Sequence, residues 1–295
     1  MNNILTVFTP LYNRKITLKR TYESLCRQTN KDFIWLIIDD GSTDNPYEEI
    51  KKWLEIDNGF EIKYLYKENG GMHTAHNTAY ENIDTELNVC IDSDDYMPNN
   101  AVELILNCWK ENKDKGYAGI IALDYADSTK AVIGKELPKD KDSTTLMGYY
   151  NNGGVGDKKL IYRTDIIKST PPYPVFENEK YVALAYKYHI IDEKYELKIL
   201  NECVCIVDYQ TDGSSANMLK QYIRNPKGFA FWRKEQMKHA VNFKQKIKAC
   251  VHYVSSSIIG GNKRFISESP YKALTFFSTP LGALLTVYIK IKQRN

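Results

Sequence analysis

Four times within the first 112 residues a short apolar run gives way to an amphipathic one, and every apolar run stops at polar side chains. Residues 4–9 are β-rich and stop at Pro10, and 16–28 follow with Leu18, Tyr22 and Leu25 at helical spacing. Residues 33–38 (FIWLII) run into Asp39-Asp40-Gly41-Ser42, before an amphipathic stretch over 47–56. Residues 62–66 precede Gly70-Gly71 and a helical pattern through Tyr80, and 87–91 precede Asp92-Ser93-Asp94-Asp95 and a helical pattern over 100–112. Strands apolar on both faces need cover on both, and parallel strands need crossovers. The alternation therefore predicts an α/β fold, a Rossmann-like nucleotide-binding sheet, mixed but mainly parallel, with helices on both faces. Such sheets bind ligands beyond the carboxyl ends of their strands. The clusters at 10–14, 39–44, 69–76 and 92–95 all fall there, which predicts one crevice built from four segments.

From 118 to 207 the pattern loosens into short strands, glycine-bearing loops and a helix after Glu179. Beyond that the charge changes sign: residues 216–295 hold 15 Lys and Arg against 2 Asp and Glu, while the remainder holds 25 against 35. The reading is a catalytic domain over 1–215, with a nucleotide-sugar half at about 1–117 and an acceptor half at about 118–215. A basic, aromatic helical region follows over 216–295, its helices broken at Gly260-Gly261 and Pro270. Basic side chains near an anionic surface contribute on the order of 1 kcal/mol each, so this region is expected to rest on anionic lipid. Tyr222, Phe229, Phe231, Trp232, Tyr253, Phe265, Tyr271, Phe276 and Phe277, interleaved with Lys and Arg, suit an interface and equally a helical core or a homodimer contact. Residues 273–289 are apolar but short for a bilayer span and contain Pro280 and Gly282, which favours an interfacial or packed helix. The six cysteines form no CxxC pair and read as reduced, buried thiols. Residues 1–9 carry no secretory signal, so the catalytic body is expected in the cytoplasm, peripheral on the inner face of the cell membrane.

Three carboxylates in Asp92-Ser93-Asp94-Asp95 crowd the end of a buried strand, an arrangement that calls for a hard divalent ion, Mn²⁺ or Mg²⁺, bridging to a diphosphate. The competing reading is a loop in which Asp95 caps the following helix. In 39–44 a carboxylate can accept from a nucleobase N–H or a ribose hydroxyl, or Ser42 or Asp44 can cap the next helix.

Taken in order, Thr9-Pro10-Leu11-Tyr12-Asn13-Arg14, Asp39 to Asp44, Glu68-Asn69-Gly70-Gly71, Asp92 to Asp95 and Phe176-Glu177-Asn178-Glu179-Lys180 resemble the family 2 inverting glycosyltransferases of the GT-A fold, particularly the bacterial capsule, cell-wall and lipopolysaccharide enzymes. The resemblance implies that Pro10, Tyr12 and Asp39 frame the nucleobase of a UDP-sugar, with Asn13 and Arg14 beside them, and that Asn69 and Gly71 lie against the nucleotide. It implies further that Asp92 and Ser93 face the ribose or donor sugar, that Asp94 is the direct metal ligand, and that the base lies at Glu177 or Glu179. Glu179 is preferred because it is read as starting a helix over 179–188. The sequence departs from the family in having Met72-His73-Thr74-Ala75-His76, without Arg or Lys, after the glycine pair, and in separating Glu177 from Glu179. Gly156 and Asp157 are expected to line the acceptor groove, and Asp212 to Ser215, with Ser214 among them, to form a lid.

The implied activity is transfer from a UDP-sugar to a glycan acceptor, polyprenyl-diphosphate-linked where it is presented at a membrane, in surface polysaccharide synthesis. A nucleotidyltransferase is the competing enzyme class, but it would carry a glycine-rich, basic loop after the first strand. A non-catalytic nucleotide- or glycan-binding protein is the third reading. A dinucleotide oxidoreductase is disfavoured because no GxGxxG follows the first strand, and nucleic acid is not an expected partner.

Overall fold

The structure is a computed structural model describing residues 4–210 and 218–294. The strands are β1 Leu5–Leu11, β2 Phe33–Asp39, β3 Glu61–Tyr66, β4 Leu87–Cys90, β5 Gly119–Ala126, β6 Ala131–Val132, β7 Ser143–Thr144, β8 Lys158–Arg163 and β9 Leu197–Val207. The helices are α1 Lys15–Cys26, α2 Tyr47–Leu54, α3 Met72–Asn82, α4 Ala101–Asn112, α5 Leu146–Asn151, α6 Thr164–Ser169, α7 Ala185–Asp192, α8 Met218–Arg224, α9 Pro226–Lys238, α10 Phe243–Ile259 and α11 Lys272–Arg294. The chain divides into two compact units, one of residues 1–69, 74–172 and 187–210, the other of 70–73, 173–186 and 211–295.

The first unit holds the whole sheet, ordered β3-β2-β1-β4-β8-β5-β9-β7, with β6 on β5. β1 to β4 are mutually parallel, β8 runs antiparallel between β4 and β5, and β9 is parallel to β5. β1 is buried at all 7 positions and β2 at nearly all, as continuous apolar strands covered on both faces must be. On the edge, β3 alternates exposed and half-buried residues. Tyr22 of α1 stacks on Trp53 of α2 at 4.1 Å and both lie over Trp35 of β2. That aromatic layer fixes two helices against the sheet.

Two sequence boundaries are corrected here. Pro10 does not end β1; it pairs with Ile38 inside the ladder. Phe8 O accepts from Ile91 N and Leu11 O from Asp40 N, so even-numbered residues of β1 turn their polar groups toward β4. β4 has already ended at Cys90, and the donor that proline lacks is not needed. Glu179 does not begin a helix: α7 begins at Ala185.

The second unit is built mainly on α8 to α11. Met237, Ala249, Cys250 and Tyr253 form one core cluster, and Tyr222, Phe229 and Ile289 another. The aromatic set over 222–277 thus divides: Tyr222, Phe229, Trp232 and Tyr253 are buried, whereas Phe276 and Phe277 are exposed.

Candidate active site

The turns after β1 and β2 are tied together. Asn13, held at φ 51°, donates its N–H to Ser42 Oγ at 3.1 Å and accepts from Thr43 N at 2.7 Å through Oδ1. Asp44 accepts the N–H of Lys15 at 2.9 Å, so it caps the preceding helix α1 instead of the next one. Asp39, almost fully buried, accepts from Ser42 N and from Tyr64 Oη, both at 2.8 Å. Asp40 pairs with Lys67 Nζ at 2.5 Å and is braced by Asn69 Nδ2 at 2.7 Å through its carbonyl. Gly41 sits at φ +76° with a would-be Cβ only 2.7 Å from Asn69 N, so glycine alone lets the third turn close on the second. Tyr12, 47 % exposed at the end of β1, presents a free ring beside this knot.

The acidic turn after β4 alternates. Asp92 and Asp94 are half-buried while Ser93 and Asp95 are buried. Asp95 does not cap α4; its Oδ1 accepts from Asp208 N at 3.1 Å, and Thr21 Oγ1 donates to its carbonyl at 2.7 Å. Burial, then the neighbouring Asp92 charge, raises Asp94, and Arg14 Nε at 3.9 Å from its Oδ2 partly offsets this. Arg20 of α1 donates to Asp94 O at 2.6 Å and to Asp208 Oδ2 at 2.7 Å, with its guanidinium over the Tyr96 ring. One arginine therefore fixes both the acidic turn and the end of β9.

Beneath the turn lies a second layer of charge. Lys159 of β8 faces buried Asp124 of β5 at 3.8 Å. Burial alone would lower the lysine, but Asp124, Cys205, Asp95 and Asp92 hold it well above its usual value. Burial pushes Asp124 up to about 6 and Asp95 to about 7, against the pull of the same ammonium. One interior cation thus supports carboxylates on β5 and in the turn after β4.

Asp92 and Asp94 are neighbouring hard oxygen donors, half-buried at a strand end, which fits an ion held by one or two carboxylates and completed by a diphosphate and water. Among the described residues no cluster of three or more His, Cys, Asp or Glu forms a cage by itself.

In the second unit, Glu179 Oε1 accepts from Lys227 N at 2.9 Å and Oε2 from Gly228 N at 2.8 Å, so its carboxylate satisfies the amino end of α9. Lys180 N donates to Asn225 Oδ1 at 2.7 Å, stapling the same segment to the same helix. Glu177 is exposed, ahead of the turn at Asn178 with φ 63°. Gly71, at φ +93°, packs so closely on Lys180 O that a Cβ would lie 2.1 Å from it.

A model described as glycosyl transferase family 2 matches residues 6–170, more than half of the chain. The chain belongs to glycosyl transferase family 2. Among curated relatives, glycosyltransferase GlyA of Streptococcus pneumoniae serotype 4 is 34 % identical over 34 % of this chain and 14 % of its own length. The poly(ribitol-phosphate) β-N-acetylglucosaminyltransferase TarP of Staphylococcus aureus is 27 % identical over 56 % of this chain and 47 % of its own. The chain thus spans less than half the length of either. S. aureus TarS 1–349 in complex with UDP-GlcNAc superposes with TM-score 0.61 at 15 % identity, covering 98 % of this chain and 91 % of that one. The mannosyltransferase PcManGT of Pyrobaculum calidifontis, in complex with GDP-Man and Mn²⁺, superposes at TM-score 0.55 and 15 % identity, covering 97 % and 87 %. The sheet and its flanking helices fit the GT-A fold.

Within this family 2 chain Pro10 and Asp39, in the last positions of β1 and β2, and Tyr12, Asn13, Arg14, Asn69, Asp92, Ser93 and Asp94, in the segments after β1, β3 and β4, all lie at carboxyl ends of the first unit's strands. Gly156 and Asp157 lie before β8, where Asp157 accepts from Tyr209 Oη at 2.9 Å. Asp212 and Ser214 lie outside the described residues. His76 is a core residue, edge-on to Phe8 at 5.0 Å and 3.2 Å from Tyr80 Oη. Sequence reasoning missed Arg20, Lys67, Lys159 and Asp124. Asp124 carried a usable signal, a lone charge inside the otherwise apolar β5, whereas Lys159 follows Lys158 in β8 and does not stand out. A hollow of about 480 Å³ opens at the opposite rim, lined by Ile4, Glu61, Lys63, Asn82 and Glu86 among others. Its lining sets Glu61, Asp84 and Glu86 against the single Lys63, an acidic balance that disfavours a diphosphate.

Proposed function

We propose that this chain transfers a sugar from a UDP-sugar to a hydroxyl of a glycan acceptor, with inversion at the anomeric carbon, in synthesis of a surface polysaccharide. The observation that carries this reading is the linkage of the β1, β2 and β4 turns into one polar rim over the Lys159–Asp124 layer. Tyr12 supplies a ring face to the base, and Asp39 retains acceptor capacity toward a base N–H beyond its two internal bonds. Asp92 and Asp94 would hold Mn²⁺ or Mg²⁺, which when bound offsets the charge that develops on the departing diphosphate. Arg14, beside Asp94, is placed to follow that charge.

In the transfer step the acceptor oxygen bonds to the anomeric carbon as the bond to the diphosphate breaks. UDP leaves with that electron pair, and the hydroxyl proton passes to a carboxylate. We assign that proton to Glu177, the exposed member of the pair, because Glu179 is buried against the amino end of α9. A lipid-linked acceptor and a lid over 212–215 belong to the same proposal.

The test is UDP release from a panel of UDP-sugars with Mn²⁺, comparing wild type with Asp94→Asn. Metal-dependent release that the variant loses supports the reading. Tight UDP binding without turnover of any donor would favour a binding protein.

A further inference from the structure

Helix α11 is turned inside out. Its 23 residues extend about 34 Å. Apart from Ile289, the buried side of α11 is small or hydroxylated: Thr275, Ser278 and Thr286 are buried, and Gly282 lies against Val254, where a Cβ would fall 2.4 Å from Val254 Cγ1. Thr286 Oγ1 bonds Ser255 Oγ at 3.0 Å. The opposite side carries Phe276, Phe277, Leu281, Leu284, Val287 and Ile291, each at least 55 % exposed and Phe277 at 76 %. At 3.6 residues per turn these side chains share roughly 140° of arc. Lys272 and Lys290 fall on one border of that arc and Lys292 on the other, all exposed.

A helix of a water-facing surface buries its large apolar side chains and exposes its hydroxyls. Here close helix contact is made by small residues, and the hydrophobic stripe is left outward between lysines. We propose that this face of α11 is a membrane-interface surface, lying in the plane of an anionic bilayer with its apolar stripe among the upper acyl chains and its bordering lysines at the head groups.

Three observations select this occupant. The helix is long and apolar enough to cross a bilayer by length and composition, but α10 runs alongside it, with Lys246 over the Tyr271 ring at 4.1 Å and Ile259 packed near Leu285. A spanning α11 would carry Lys234 of α9, whose ammonium lies 5.8 Å over the Tyr253 ring beside the Val254–Gly282 contact at mid-helix, to hydrocarbon depth, which is costly. A second copy would meet the face with its own lysines, and residues 216–295 carry 15 Lys and Arg against 2 Asp and Glu, so like charges would repel. An anionic lipid surface complements both the stripe and its borders. The inference stands apart from the transfer chemistry.

The test is flotation of the full chain with vesicles of phosphatidylglycerol and phosphatidylcholine in equal parts, and of phosphatidylcholine alone. Wild type is expected to float with the anionic vesicles and to be released by salt. Joint substitution Phe277→Ser, Leu281→Ser and Leu284→Ser removes exposed side chains only. It is expected to weaken partition by about tenfold or more with an unchanged melting temperature. Lys290→Glu with Lys292→Glu should lower binding to the anionic vesicles alone. Failure of wild type to float with either vesicle, or equal flotation of the triple variant, would overturn the proposal. So would light scattering showing a wild-type dimer that the triple variant converts to monomer, which would assign the face to a second copy.

Discussion

The two units spend their unusual residues in opposite ways. The sheet unit buries charge: Asp124, Lys159 and Asp95 sit below the strand ends, each answered by an opposite charge or a backbone N–H. On α11 the helical unit buries hydroxyls and leaves large apolar side chains in solvent. Buried charge costs stability unless partnered; Asp95, Asp124 and Lys159 gather it beneath the rim where we propose that a diphosphate binds, while Lys187 and Glu235 are buried elsewhere. Exposed apolar surface costs solubility, and on one face of α11 six such side chains, Phe276, Phe277, Leu281, Leu284, Val287 and Ile291, stand together. The rim and that face are the surfaces at which we propose that the two units meet a ligand.

The contrast between Glu177 and Glu179 gives the largest expected effect. Glu177→Gln should slow transfer by about 10²–10⁴-fold while UDP binding survives. Next, Lys159→Met strands Asp124 and Asp95, and should destabilise the sheet unit by about 3–5 kcal/mol in urea unfolding while leaving hydrogen exchange in α9 to α11 unchanged. Glu179→Gln replaces one of two acceptors on α9 with a donor, and should cost the helical unit about 1–3 kcal/mol. If Glu179→Gln instead abolishes transfer at unchanged stability, the two glutamate roles are reversed.

The smallest effect is a pH split. Asp95, Asp124 and Asp192 are raised by burial to about 7, 6 and 6. Their folded forms bind protons that the unfolded chain has released, so the sheet unit gains stability as pH falls from 7.5 to 5.5. His252 is lowered to about 4 by burial and by Arg233. The unfolded chain takes up that proton first, so the helical unit loses stability over the same range. Hydrogen exchange corrected for intrinsic rate should show opposite changes, and parallel changes would break the comparison.

The sheet was legible because β1, β2 and β4 are uninterrupted apolar runs, each stopped by turn formers. The rim was legible for the same reason, since a strand's end fixes where its next residues lie. Glu179 was not, because its partner, the start of α9, is 48 residues away and nothing local distinguishes a cap for a distant helix from a helix start. Lys159 was overlooked because, in a Lys158-Lys159 pair at the start of β8, either lysine matches a solvated face until its neighbours are placed. In α11 the apolar composition was plain, but which face turns outward follows from the serines of α10.

The most direct measurement is hydrogen exchange of the full chain with UDP and Mn²⁺. The account expects protection at 9–15, 39–44 and 92–96, with 61–63 and 82–86 unchanged. Protection at 61–63 and 82–86 instead, around the hollow at the opposite rim, or no protection anywhere, would contradict it.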